Sequence, residues 1–179
     1  MSEALRLQHR TWSRDQFVIS TDSTLLPIEK LSQAFASSDV YWALPMPKEV
    51  MQETLRNSLC FGLYKKEEGK GEKDKESDLE LVGFARCITD FTTFAYLTDV
   101  YIWPTYQGSG LGKWLVMCVQ EVIEAMPYLR RSMLFTSDWE RSVPFYKTLM
   151  GMELVGSKDG LDGGPAILQY KGKGFPPSL

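Results

Sequence analysis

The chain has 179 residues, 44% of them hydrophobic, and a net charge of −3 from 20 basic and 23 acidic side chains. That length and composition support one packed core, and with no basic stripe there is no electrostatic case for a nucleic-acid partner. The longest apolar runs, such as WLVMCV, fall far short of the ~18 residues that cross a bilayer, and MSEALRLQHRTW lacks the apolar centre of a secretory signal, so the expectation is a cytoplasmic protein, or a nuclear one, with no membrane partner.

Residues 1–16 read as a tail or edge segment and 17–179 as a single domain. FVISTD, 17 to 22, is a short β-type run. From Pro27 the period changes. Ile28, Leu31, Ala34 and Phe35 fall at helical spacing, with the proline suited to a first turn. SSDVYWALP, 37 to 45, is a loop with two large aromatics, and a second helix follows from Pro47 through Arg56 with Val50, Met51, Thr54 and Leu55 facing inward. LCFGLYK, 59 to 65, reads as a strand. KKEEGKGEKDKESD, 65 to 78, contains no apolar residue, cannot bury surface, and reads as a mobile charged loop. LELVGFARCIT, 79 to 89, and TFAYLTDVYIW, 93 to 103, are rich in β-branched and aromatic residues with a short polar turn between them, which predicts an antiparallel hairpin. Leu111, Trp114, Leu115, Cys118, Val122 and Met126 mark one face of a helix that Pro127 stops. SMLFTS, 132 to 137, is a strand. A short helix from Phe145 to Met150 ends at Gly151, where a left-handed cap belongs, and 152–156 and 166–171 close the sheet.

Several chemistries are excluded along the way. Cys60, Cys87 and Cys118 are odd in number and lie in apolar runs, as reduced core thiols do. His9 is the only histidine and sits in a polar N-terminal segment, so Ser-His-Asp and Cys-His mechanisms have no support. No Cys or His spacing suits zinc, and no metal is expected.

The stretch PTYQGSGLGK, 104 to 113, places Gly108, Gly110 and Gly112 between a strand and a helix. Glycines there let backbone N–H groups face outward with no Cβ in the way. The first N–H groups of a helix have no intrahelical partner, and with the helix dipole they make a place suited to phosphate. The nucleotide-hydrolase loop G-x-x-x-x-G-K-[ST] does not fit, because position 107 is Gln and position 114 is Trp, which leaves no hydroxyl for Mg²⁺. The dinucleotide pattern G-x-G-x-x-G fails because its third glycine falls on Lys113. The pattern that fits is Q-x-x-G-x-G, as Gln107, Gly110 and Gly112.

With its preceding strand and following helix, DVYIWPTYQGSGLGKWLV resembles the acetyl-CoA signature of the GNAT acetyltransferases. YWALP, NSLCFGLY, LVGFARCITD and YLTDVYIWP resemble one branch of small, single-domain members, and the similarity runs from FVISTD almost to the end of the chain. The resemblance implies an α/β (α+β) fold of the acyl-CoA N-acyltransferase type, with a central mixed, mostly antiparallel sheet flanked by helices. It implies an acetyl-CoA-dependent N-acetyltransferase with acetyl-CoA as co-substrate. The backbone amides of Gln107, Gly108, Ser109, Gly110, Leu111 and Gly112 would hold the pyrophosphate, with Lys113 either adding charge or standing solvated on the helix. Val100, Tyr101 and Ile102 would pair with the pantetheine arm as an added strand does, and an N–H near Tyr101 or Ile102 would polarise the thioester carbonyl. Tyr146, in FYKTLMGM, lies in a segment that resembles the family's (F/L)-Y-x-x-x-G-F, with Gly151 and Met152 near the usual Gly-Phe, and would be the acid at the coenzyme sulfur, the alternative being a core tyrosine. Trp139, with Asp138 beside it, stands where the family often has an asparagine.

The proton acceptor is argued from the residues. An alkylamine has a pKa near 10 and is mostly protonated at neutral pH. With one remote histidine, the base must be a carboxylate, a tyrosine or a water they hold. Asp99 interrupts the apolar strand and is the expected base, or else a structurally hydrogen-bonded carboxylate; Asp90 reads as a turn residue. Asp39, Tyr41 and Trp42 either meet the acceptor or pack beneath their loop. The acceptor is an amine-bearing small molecule, a protein lysine or a protein N-terminus, and pairing of two copies through the final strand stays open. The alternative function is a non-catalytic acyl-CoA sensor or an interaction protein of the same fold.

Overall fold

A computed structural model describes residues 6–67, 79–155, 165–173 and 175. Its strands are β1 (Thr11–Arg14), β2 (Phe17–Ser20), β3 (Leu59–Lys66), β4 (Leu79–Thr89), β5 (Phe94–Ile102), β6 (Arg131–Thr136), β7 (Glu153–Leu154) and β8 (Ala166–Lys171), and its helices are α1 (Ile28–Phe35), α2 (Lys48–Arg56), α3 (Leu111–Glu124) and α4 (Ser142–Met150). The strands hydrogen-bond in the order β1-β2-β3-β4-β5-β6-β8-β7. β1–β2, β2–β3, β6–β8 and β7–β8 are antiparallel. β5 and β6 run parallel, with Phe94 opposite Arg131 and Tyr96 opposite Met133, and α3 provides the crossover such a pair needs. β4 and β5 are neighbours joined by residues 90–93, a link too short for any but an antiparallel pair. The expected hairpin and the mixed, mostly antiparallel sheet are therefore present.

The hairpin turn is organised by Asp90. Its Oδ1 accepts from the backbone N–H groups of Thr92, Thr93 and Phe94 at 3.0, 2.7 and 3.0 Å, and its Oδ2 from the Thr93 hydroxyl at 2.6 Å. Burial works against the charge on this carboxyl, yet the bonds from Thr93, Thr92 and Phe94 outweigh it and hold the group below the usual aspartate range.

By compactness the chain divides into two units. The first runs to Arg86 and includes Asp99–Leu115; the second holds Cys87–Thr98 and everything from Val116. In the first, the apolar stripes of α1 and α2 bury Leu31, Phe35, Met51 and Leu55 with Cys60, Tyr64, Leu81, Phe84 and Tyr101. Val50 departs from expectation: Met51 and Leu55, one turn apart, take the inward positions, and Val50 is 47% exposed. In the second unit Val116, Val119, Val122 and Ile123 of α3 are buried, as are Leu134 of β6, Leu168 of β8 and Met150 of α4. Gly151 ends α4 at φ 59, the left-handed cap anticipated. α4 begins at Ser142, ahead of the predicted Phe145, because Pro144 falls in the first turn, where its missing N–H breaks no helical bond.

Thr11–Arg14, within the expected edge segment, pairs with β2 as the outermost strand. Lys65 and Lys66 complete β3, with Lys65 opposite Phe17; the rest of the charged loop, from 68 to 78, lies outside the described residues. The three cysteines are buried thiols outside any disulfide. Burial pushes Cys60 up to about 12, the Arg86 charge offsetting only part of it. His9 is exposed. Among the described residues no group of three or more His, Cys, Asp or Glu could hold a metal ion, and no helix is long and apolar enough to cross a membrane.

Candidate active site

The glycine-rich stretch is held from its first residue. Pro104–Tyr106 form one turn of 3-10 helix, with Tyr106 N–H donating to Trp103 O at 2.8 Å and Gln107 N–H to Pro104 O at 3.2 Å. Gly108 and Gly110 then adopt φ 78 and φ 77, the left-handed region that side chains other than glycine's enter at a cost. A Cβ at either position would meet nothing within 4 Å, so the loop's outer side is open. The Ser109 hydroxyl donates to Tyr106 O at 2.7 Å, and the Gln107 side-chain amide to Ile102 O at 2.8 Å, which ties the loop back to the end of β5. The ladder of α3 opens with Trp114 N–H to Gly110 O at 3.1 Å. The amides of Leu111, Gly112 and Lys113 come ahead of it as the orphan donors of the first turn.

Gly112 serves a different purpose from the other two. Its φ is not left-handed, and a Cβ there would touch Ile102 Cγ1 at 3.5 Å. A Cβ at Gly83 of β4 would come within 2.6 Å of Ile102 Cδ1. Ile102 thus occupies the space a side chain at Gly83 would take, whereas a Cβ at Gly112 would make ordinary contact with it, which places the first turn of α3 against the end of β5.

A bracing network that sequence reading missed surrounds this loop. Glu80 of β4 accepts from the Tyr106 hydroxyl at 2.7 Å and from Lys30 of α1 at 3.1 Å. The Tyr106 hydrogen bond, ahead of Lys30, holds the Glu80 carboxyl below its ordinary range. Lys30 also stands 5.3 Å from the centre of the Trp103 ring. The partners come from three separate segments, and no local pattern announces them.

Asp99 lies at φ 54 within β5 and is buried. Its Oδ2 accepts from Arg86 Nε at 2.7 Å and its Oδ1 from Trp42 Nε1 at 3.2 Å. Arg86 in turn donates to Ser58 Oγ at 3.1 Å. Beside it the Tyr101 hydroxyl donates to Asp39 at 3.3 Å, and its ring meets Trp103 edge-on with centroids 5.0 Å apart. Burial, then the Asp39 charge, raises the Tyr101 hydroxyl above its usual range. Tyr41 is 67% exposed and packs edge-on against Trp42. The first unit therefore brings together Asp99, Val100, Tyr101, Ile102 and Gln107–Lys113, together with the loop residues Asp39 and Trp42. Tyr146 belongs to the second unit, on α4. It is buried, its ring packs edge-on to Phe145, and burial raises its hydroxyl well above the ordinary tyrosine value.

The model of the Acetyltransferase (GNAT) family matches residues 29–152. A candidate acetyltransferase of Gibberella zeae, FG08082, is 37% identical over 171 residues, which is 92% of this chain and 94% of its own length. A crystal structure of a GNAT-family acetyltransferase candidate from Xanthomonas campestris is 34% identical, with a TM-score of 0.53 over 69% of this chain and 78% of that one. A GNAT acetyltransferase from Elizabethkingia anophelis, solved with acetyl-CoA bound, shares the fold at 12% identity and a TM-score of 0.56, over 88% of this chain and 99% of that one. The family match takes in the glycine loop and the Tyr146 segment alike, and the Gibberella relative is similar along nearly its whole length, so the chain belongs to the GNAT family of acetyltransferases.

Proposed function

We propose that the chain moves an acetyl group from acetyl-CoA to a primary amine by direct attack of the amine on the thioester. The observation that carries this reading is the pair Gly108 and Gly110, both left-handed, both open on the side where a Cβ would stand, and followed at once by the orphan amides of α3. A diphosphate suits such a place, and a relative of this fold was solved with acetyl-CoA bound. When bound, the coenzyme supplies an activated acyl group on a thiolate that leaves readily. The chain's own part is to bind, orient and move protons.

In this reading the amides of Gly108–Gly112 hold the diphosphate, the Gln107 N–H being already bonded to Pro104 O at 3.2 Å, and Lys113, exposed on the first turn, adds charge. Val100–Ile102 offer their backbone to the pantetheine arm, and an N–H at Tyr101 or Ile102 faces the carbonyl oxygen, where it stabilises the charge that develops there. Tyr146, protonated at neutral pH as tyrosines are, gives its proton to the departing thiolate; this assignment rests on the resemblance of FYKTLMGM to the family segment. For Asp99 the geometry favours positioning over proton abstraction. Its carboxylate already meets a guanidinium at 2.7 Å, so it fixes the kink in β5, and with it the direction of the Tyr101 and Ile102 amides, while the amine's proton leaves through water. The Asp39 charge, exposed beside Tyr101, attracts the ammonium form of the acceptor. The absence of a charged docking stripe in the sequence favours an amine-bearing small molecule over a protein.

The test is turnover. Purified protein with acetyl-CoA and a panel of primary amines is expected to release coenzyme A only when an amine is present. Tight binding of acetyl-CoA with no release on any amine would replace the enzyme with a sensor, and no binding would overturn both.

A further inference from the structure

We propose that Arg14 recognises the 3′-phosphate of the coenzyme, an inference that rests on the coenzyme site proposed above. Coenzyme A carries two separate phosphate elements. One is the diphosphate, for which the glycine loop and the first turn of α3 account. The other is a phosphomonoester on the ribose, which carries close to two negative charges at neutral pH, and nothing in the loop answers it.

Arg14 ends the edge strand β1, just before the left-handed Asp15 of the β1–β2 turn. Its guanidinium carbon lies 4.7 Å from the centre of the Trp114 ring. Trp114 belongs to the first turn of α3, and its N–H is the one that bonds Gly110 O at 3.1 Å. The guanidinium is thus held by an indole on the same helical turn whose orphan amides form the anion site. A guanidinium over an indole ring makes a cation–π contact that uses none of its N–H donors, and those donors fit a phosphate in a two-pronged way. Among the described residues no carboxylate pairs with Arg14, whereas Arg86 and Arg141 are each bound to an aspartate. Lys113, in that same turn, and Lys65, whose ammonium stands 6.0 Å from the Tyr106 ring, add positive charge around the loop. A hairpin arginine stacked there only to fasten β1 to α3 would be indifferent to the ribose substituent, which separates the two roles.

Calorimetric titration with coenzyme A and with 3′-dephospho-coenzyme A tests this, using the whole chain and its Arg14→Gln and Arg14→Lys variants, with melting temperatures confirming that each is folded. The wild type is expected to bind coenzyme A about tenfold more tightly than the dephospho form, the size of one charge-assisted pair. Arg14→Gln should bind both alike, with its affinity for the dephospho form unchanged, and Arg14→Lys should keep part of the preference. A wild type without preference, a preference that survives Arg14→Gln, or an equal loss of affinity for both ligands would each overturn the assignment. Binding of neither ligand by the wild type would overturn the coenzyme reading itself.

Discussion

Asp99 of β5 and Arg86 of β4 are two buried or nearly buried charges of one hairpin, and they meet at 2.7 Å with side-chain exposures of only 7% and 15%. Removing one member of such a pair strands the other. Asp99→Asn is expected to lower unfolding stability by about 3 kcal/mol, within the range for breaking a buried pair, and adding Arg86→Met should recover part of that loss; urea denaturation of the three proteins measures both. Sequence reading isolated Asp99 and overlooked Arg86, although the signal was available: an arginine in LVGFARCIT facing a neighbouring strand that also carries one unexplained charge. For Tyr146 the proposed contribution is chemical, as proton donor to the departing thiolate. Tyr146→Phe should reduce kcat by ~10²-fold or more, the usual worth of a positioned proton donor, and leave KM for acetyl-CoA within a few-fold. Steady-state kinetics showing unchanged kcat would remove it from the mechanism.

At the scale of elements, the glycine loop is held in place by groups far from it in sequence. Tyr106, Glu80 and Lys30 join the 3-10 turn to β4 and α1. Tyr106→Phe keeps the ring and loses the bond to Glu80, so KM for acetyl-CoA should rise severalfold with kcat nearly unchanged, and Glu80→Gln should do the same. A change confined to kcat would contradict the bracing role. The turn between β4 and β5 gives a pH prediction. Because hydrogen bonds hold the Asp90 carboxyl below its unfolded value, near 3.9, its contribution to stability is present above that pH and is lost as pH falls toward the lowered native value. Asp90→Ala should therefore cost about 1 kcal/mol at neutral pH, comparable to losing a helix cap, and should flatten the decline in melting temperature between pH 5 and the acid limit; a steeper decline would exclude this account. Elements were legible where pattern was strong. α1, α3, β4 and β5 announce themselves by period and composition. β1 did not, because TWSR buries little and is held by backbone pairing with β2, and β7 is only Glu153–Leu154. Along α2 the helical period was legible, but which side of it Val50 faces was decided by packing.

Across the whole molecule, the order of most elements was legible because it depends on local pattern, whereas the mixed sheet was implied by the family resemblance, and the family match from 29 to 152 agrees with that resemblance. The backbone half of the candidate site was legible for the same reason, since Gln107, Gly108, Gly110 and Gly112 are contiguous. Its side-chain half was not: Arg14 to Trp114, Glu80 to Tyr106 and Arg86 to Asp99 are all pairs that only folding brings together. The distinction among the glycines was equally hidden, since sequence treats all three alike whereas Gly108 and Gly110 supply left-handed backbone and Gly112, without a left-handed φ, lies against Ile102. In the proposed site the amides from Gly108 to Gly112 grip the coenzyme's diphosphate. Titration of the ¹⁵N-labelled protein with coenzyme A addresses it amide by amide. The largest shift changes are predicted at Gly108, Gly110, Leu111 and Gly112, saturating together with those of Tyr101 and Ile102. Absence of change at these amides, or saturating changes confined to another part of the chain, would contradict the account.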